Sequence, residues 1–221
     1  MNSYFKKIIS VILAAVLTVT ALAVPSYAAE NQEEQQTQEK AVARLSVCSC
    51  IYFFPVVGHE WIYVENLTDE TLTVGLYEVP AGEGVSIGSF SFSVSDGWGL
   101  YYNVEAFREN RDDNLDSCWS ITEEITAAQA EKLTEELLGY SNTWGFYYNC
   151  MFFAFSIWNS VTGDLLIPLI IPALGQVQVM LHGGKKGKLT MYEPSSDRVY
   201  RQKGVGQNAY LVPVSEATIR Q

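Results

Sequence analysis

Histidine is nearly absent from this chain. Only His59 and His182 occur in 221 residues. That scarcity removes the histidine-rich metal centres and leaves two residues able to serve as an imidazole base. Cysteine is also sparse, with four residues, Cys48, Cys50, Cys118 and Cys150. The pair in "CSC" is not the C-x-x-C of a zinc or redox motif, and both histidines lie far from it in sequence, so no metal site and no cofactor is expected. Cys48 and Cys50 are too close to bridge each other. If one of them pairs with Cys118, two cysteines are left over, which is not a disulfide framework. Positive charge is short too: 14 Lys and Arg stand against 25 Asp and Glu, for a net charge of −11. Such a surface repels nucleic acid and anionic membranes. The one basic cluster, "GGKKGK" at 183–188, reads as a solvated turn. No internal repeat is present.

The first 28 residues carry a basic n-region at Lys6 and Lys7, an apolar run from Ile8 to Val24, and small residues at Ser26 and Ala28. This is a secretory signal peptide pattern with cleavage expected after Ala28, and no lipobox cysteine stands near that site. Residues 29–40, with "ENQEEQQTQEK", cannot bury surface and read as a disordered linker. Residues 41–221 then form a single domain. Cleavage would remove two of the basic residues and none of the acidic ones, so the mature chain would be more acidic than the whole. The expected location is secreted, extracellular or associated with the cell wall, with no membrane contact in the mature form.

Period-two alternation predicts a strand over "GHEWIYVEN" (58–66), with His59, Trp61 and Tyr63 on one face and Ile62 and Val64 on the other. "LTVGLYEVP" is expected to return as its hairpin partner after the turn "NLTDET". "GVSIGSFSFSV" and "GLYYNVEAF" are expected as further strands, and "RENRDDNLDS" as a charged loop. In "SITEEITAAQAEKLTEELLGY", Ser120 and Glu123 match the S-x-x-E capping box, which predicts an amphipathic helix stopped near Gly139. A second helix follows in "YYNCMFFAFSIWN" (147–159). It is apolar on nearly every side and therefore expected to be buried. Pro168 and Pro172 break up "LLIPLIIPALGQVQVML", which is expected as a loop leading into a core strand, "GQVQVML". "KLTMYEP", "RVYRQ" and "AYLVPV" suggest short strands near the end. The order predicts an α+β fold, an antiparallel sheet packed against a buried central helix that carries a cysteine at its N-terminus.

Cys150 is the candidate nucleophile. Asn149 is a good N-cap, so Cys150 falls in the first helical turn, where unpaired N–H groups and the helix dipole favour a thiolate and provide donors for an oxyanion. His59, on an aromatic-rich strand, is the candidate base. Taken alone, these two residues equally describe a buried structural cysteine and a core histidine, which is the commoner arrangement.

The residues "VGHEWIYVEN", then a helix, then "YYNCMFFAFSIWN" resemble the circularly permuted members of the NlpC/P60 papain-like superfamily, which include the lecithin:retinol acyltransferase-like proteins. Asn149, Cys150, Phe153 and Ala154 match the N-C-x-x-F-A-like motif, and His59 matches the family histidine. The resemblance covers roughly residues 56–160 and implies a permuted papain-like cysteine hydrolase. Its reaction would be amide hydrolysis or acyl transfer through a thioester, on a peptide or acyl substrate such as cell-wall peptidoglycan. The family usually has a third polar group orienting the histidine. A symmetric hairpin centred near Thr68 or Asp69 would set Tyr77 or Glu78 opposite His59, the choice turning on one residue of register. The alternative is a non-catalytic secreted domain on the same fold that binds a ligand or protein through Trp98, Tyr101 and Tyr102.

"DDNLDSCWSITE" also matches part of a calcium loop, through Asp112, Asn114, Asp116 and Glu123. Ser117 stands where the sharp turn needs glycine, so an acidic solvated loop is the plainer reading.

Overall fold

A computed structural model describes residues 40–53, 57–90, 97–109, 118–141, 145, 148–169, 171–187 and 189–215. The expected signal peptide and linker (1–39), and Asp112, Asn114, Asp116 and Ser117 of the acidic loop, lie outside these residues.

The fold is mixed α+β, built on an eight-stranded sheet in the order β10-β9-β6-β5-β2-β1-β7-β8. Its strands are β1 (Ala43–Phe53), β2 (Val57–Asn66), β5 (Gly84–Phe90), β6 (Gly99–Tyr102), β7 (Trp119–Ile125), β8 (Lys185–Lys186), β9 (Tyr200–Lys203) and β10 (Tyr210–Pro213). Every pairing is antiparallel. Two short strands, β3 (Leu72–Val74) and β4 (Tyr77–Val79), form a separate ribbon. The helices are α1 (Val104–Glu109), α2 (Ala127–Gly139), α3 (Cys150–Thr162) and α4 (Pro172–Leu181).

One sheet face carries Leu45, Val47, Ile62, Val64, Val85, Ile87, Leu100 and Tyr102, packed with α2, α3 and α4 into the main core. The other face carries Cys48, Cys50, Trp61, Tyr63 and Cys118, covered in part by Ala106 of α1. Helix α3 is the expected buried helix. Met151, Phe153, Ala154, Phe155, Ile157, Trp158 and Val161 are all buried, Asn149 caps its start through Phe152 N–H, and Gly163 ends it at φ 79°. That left-handed turn suits glycine because a Cβ is disfavoured there. Asn159 then clamps the departing chain, bonding both the N–H and the carbonyl of Leu166 at 2.7 Å.

Several expectations are corrected. The hairpin between 58–66 and 72–80 does not form: β2 is hydrogen-bonded to β1 on one side and β5 on the other, which leaves no free edge. Strand β1 is an addition to the expected strands. Residues 119–125 are a strand on β1 rather than a helix start, so Ser120 and Glu123 form no capping box. The box lies one turn later, where Thr126 and Gln129 bond each other's backbone. "GQVQVML" is helical, with Pro172 in the first turn of α4, where its missing N–H costs nothing. "GLYYNVEAF" splits into β6 and α1, and 189–194 holds no strand.

Because Phe155 is fully buried in the main core, Phe155→Ala is expected to destabilise the domain by about 3–5 kcal/mol, read from the shift of a denaturant midpoint.

Candidate functional site

Side chains alternate along β2, so His59 and Glu60 face opposite sides of the sheet. Glu60 points with Ile62 and Val64 toward α3. His59 points with Trp61 and Tyr63 toward α1. The carboxyl of Glu60, not the imidazole of His59, meets Cys150: the thiol donates to Glu60 Oε2 at 3.4 Å. His59 and Cys150 are therefore not brought together as a dyad.

Around Cys150 the sheet offers a small polar island in an apolar core. Glu60 is fully buried and accepts from Ser49 Oγ at 3.1 Å, across the β1–β2 pairing. Ser89 follows Gly88, the register partner of Trp61, so it stands beside Glu60 on β5. Its hydroxyl is buried, and so is the Tyr140 hydroxyl, which lies within reach of it. Helix α4 closes the island from above. A Cβ on Gly175 would meet Met151 Cε at 2.8 Å and Glu60 Oε1 at 3.1 Å, so glycine permits this close approach. Leu169 N–H bonds Met151 Sδ at 3.1 Å, and Gln176 Nε2 reaches the Ser49 carbonyl at 3.3 Å. The apolar 165–175 segment thus lies over the Cys150–Glu60 pair as well as filling the core.

Burial dominates the electrostatics here. It pushes the Glu60 carboxyl up to about 8, against the opposing hydrogen bonds from Cys150 and Ser49. Burial, then the nearby Glu60 charge, pushes the Cys150 thiol well above its ordinary value, while backbone donors at Met151 and Glu60 pull weakly the other way. The sequence expectation of a thiol lowered by its helix N-terminus is reversed. At neutral pH the pair is a thiol beside a carboxylic acid, and it ionises only as pH rises toward 8 and beyond.

His59 has a different setting. Its Nε2–H donates to Glu105 Oε1 at 2.8 Å, and Ser86 Oγ donates to Glu105 Oε2 at 2.8 Å. Ala106 N–H in turn donates to Ser86 Oγ. The ring lies against Phe90 (4.5 Å) and stacks on Trp61 (5.6 Å). The residue directly opposite on β1 is Cys50, and Cys50 is bridged to Cys118. One of the "CSC" cysteines does pair with Cys118, and Cys48 and Cys150 are the two left outside the bridge.

Neither Tyr77 nor Glu78 orients His59. Tyr77 is buried in the main core against Tyr102, with the Arg198 guanidinium 5.5 Å above its ring. Glu78 is exposed and accepts from Thr73 Oγ1 at 3.0 Å. Both sit in the β3–β4 ribbon, away from the β2 edges. His182 ends α4 and pairs with Asp164 at 3.3 Å. Of the aromatics expected to form a binding surface, Tyr101 and Tyr102 are fully buried and only Trp98 is exposed, at 48%. Glu123 lies in β7. The residues that sequence reasoning missed are Glu60, Ser49, Glu105 and Ser86. For Glu60 a signal existed: a lone carboxyl on the apolar face of a strand, in phase with Ile62 and Val64.

Compared with known proteins, the chain matches no family model, no curated protein and no solved structure.

A buried acid with a raised pKa holds its proton in the fold but loses it on unfolding. Its stabilising effect is complete below about pH 4.5 and is lost as pH rises to about 8. Wild-type stability is therefore expected to fall relative to Glu60→Gln by up to about 1.4 kcal/mol per pH unit across that window. Urea unfolding of both proteins at pH 5, 6, 7 and 8 checks this; parallel curves would place Glu60 in water.

Proposed function

We propose that the domain is a secreted thiol hydrolase or acyl transferase of the permuted papain-like kind, in which Cys150 is the nucleophile and Glu60, rather than His59, handles its proton. The observation that carries this reading is the buried Glu60 carboxyl 3.4 Å from Cys150 Sγ at the capped start of α3. A carboxyl raised to about 8 is poised to exchange protons near neutral pH, and strongly shifted groups cluster at functional sites.

In the reaction, ionised Glu60 takes the thiol proton as sulfur attacks the acyl carbon. The developing oxyanion faces the first turn of α3, where the Cys150 N–H is the donor offered; Phe152 N–H is held by the Asn149 side chain, Phe153 N–H by the Asn149 carbonyl, and Met151 N–H faces the Cys150 sulfur. Protonated Glu60 returns its proton to the departing amine or alcohol. Water or an acceptor alcohol or amine then attacks the thioester, with Glu60 again taking the proton. Substrates would be peptides or acyl compounds reached outside the cell, with cell-wall peptides as the class that the resemblance implies.

One observation favours the second reading, a non-catalytic secreted binding domain. Both groups are neutral at pH 7, so Cys150 and Glu60 also suit a purely structural hydrogen bond.

Incubation with p-nitrophenyl acetate separates the two. The catalytic reading expects one acetyl group on Cys150, located by peptide mass spectrometry, formed at a rate that climbs through about pH 8. Cys150→Ala abolishes it, Glu60→Gln slows it by about 100-fold or more, and His59→Ala leaves it unchanged. No acetyl on Cys150 even at alkaline pH, or a rate indifferent to Glu60→Gln, overturns the reading in favour of a binding domain.

A further inference from the structure

The opposite sheet face carries a second thiol chemistry that the Cys150 reading does not use and does not depend on. Cys50 of β1 and His59 of β2 are direct cross-strand partners on one face, an arrangement that places their Cβ atoms about 4.5–5.5 Å apart. His59 is held by Glu105, and Glu105 is held by Ser86, whose hydroxyl is itself fixed by Ala106 N–H. The imidazole and its orienting carboxyl thus stand on the same sheet face as the Cys50 sulfur, one strand away from it.

The sheet is cut away to admit this set. A Cβ on Gly88 would stand 1.8 Å from Glu105 Oε1 and 3.0 Å from His59 Nε2. Gly88 has no positive φ to explain it, so the requirement is space for the imidazole–carboxyl pair. The histidine and the carboxyl are held deeply, at 9% and 4% exposure, and the hydrogen-bonded chain through Ser86 offsets their desolvation.

Both bridge cysteines are buried, and they differ in their neighbours: Cys50 has His59 directly across the strand pair, whereas Cys118 stands just before β7. We propose that the Cys50–Cys118 disulfide is a thiol-exchange site in which an incoming thiolate attacks Cys118 and Cys50 leaves as the thiolate beside the His59–Glu105 pair. The co-reactant is an external low-molecular-weight thiol or protein dithiol. Its sulfur forms a bond to Cys118 Sγ as the Cys50–Cys118 bond breaks, and the electron pair of that bond goes to Cys50 Sγ. The departing Cys50 sulfur has the Glu105-held imidazole across the strand pair from it. A second thiol of the same reductant then releases Cys118 and carries away the disulfide. Two electrons pass from the dithiol to the bridge, and no other oxidant or reductant is required. His59 stabilises the leaving group, and Glu105 is a positioning residue acting through His59.

Regioselectivity tests this in the native chain. The protein is exposed to glutathione, quenched rapidly with N-ethylmaleimide, and mapped by peptide mass spectrometry. The expected product carries glutathione on Cys118 and maleimide on Cys50, in about tenfold excess over the reverse isomer, since leaving-group stability selects the direction of exchange. His59→Ala is expected to bring the ratio near one. If His59→Ala does not fold, Glu105→Gln is expected to move the ratio the same way. A loosened fold would speed both isomers together and leave the ratio unchanged, so the ratio separates positioning from structure. Equal isomers in the wild type, a ratio unmoved by either substitution, or a bridge that resists glutathione until the protein is denatured overturns the proposal.

Discussion

Strand β2 is bonded along both edges, to β1 and to β5, and its side chains can point in only two directions. Ile62 and Val64 commit one direction to the main core, and Trp61 and Tyr63 commit the other to the α1 side. A slip of one residue would exchange every one of these, so the register is held by burial on both faces at once. His59 and Glu60 inherit their positions from that constraint. Being consecutive, they can never share a face, and the thiol at the head of α3 meets whichever of them points with Ile62. The chemistry available at Cys150 is thus decided by the apolar residues that follow on the same strand.

Two carboxyls are buried at β2, one on each face, and the structure treats them differently. Glu105 is met by an imidazole N–H and by a serine hydroxyl that is itself hydrogen-bonded, and Gly88 leaves room for the carboxyl and the imidazole. Among the described residues Glu60 is met by Ser49 and a weakly donating thiol. Hydrogen bonds from neutral groups do not offset the loss of water around a full charge, so desolvation prevails and Glu60 keeps its proton to about pH 8. The α1 face holds an imidazole beside a carboxyl, whereas the α3 face holds a thiol and a carboxyl in which a charge on one opposes a charge on the other.

What the sequence made legible were the features encoded locally. Helix α3 was readable because its cap, its apolar sides and its terminal glycine all lie within 15 residues. The core face of β2 was readable from period two alone. The failures share another origin. Ser120-x-x-Glu123 and Thr126-x-x-Gln129 are both acceptable capping boxes, and pairing with β1 chose between them by drawing 119–125 into the sheet. "GQVQVML" alternates like a strand, but Pro172 starts a helix whose interior faces the core at Val179. Strand β1 was overlooked because its small polar residues, Ser46 and Ser49, mask its alternation. A local turn points to a hairpin partner nearby for β2, whereas its real partners are set by tertiary packing. Glu105 is 46 residues from His59, and no spacing rule connects them.

The reversal of the Cys150 prediction is a matter of magnitude. A helix N-terminus typically contributes 0.3–1 kcal/mol toward an anion, and about 2 in favourable partly buried geometry. Burial lifts the Glu60 carboxyl beside this end of α3 from 4.5 to about 8, a penalty on negative charge larger than the dipole's contribution. The dipole is present and correctly oriented, and the backbone donors near the sulfur do favour the thiolate, but they are outweighed. A thiol and a carboxyl 3.4 Å apart in such surroundings release their protons as a coupled pair, the first departure opposing the second. A single negative charge shared between Glu60 and Cys150 is therefore the form in which this site can react, and it is reached by ionising the acid rather than by a pre-formed thiolate.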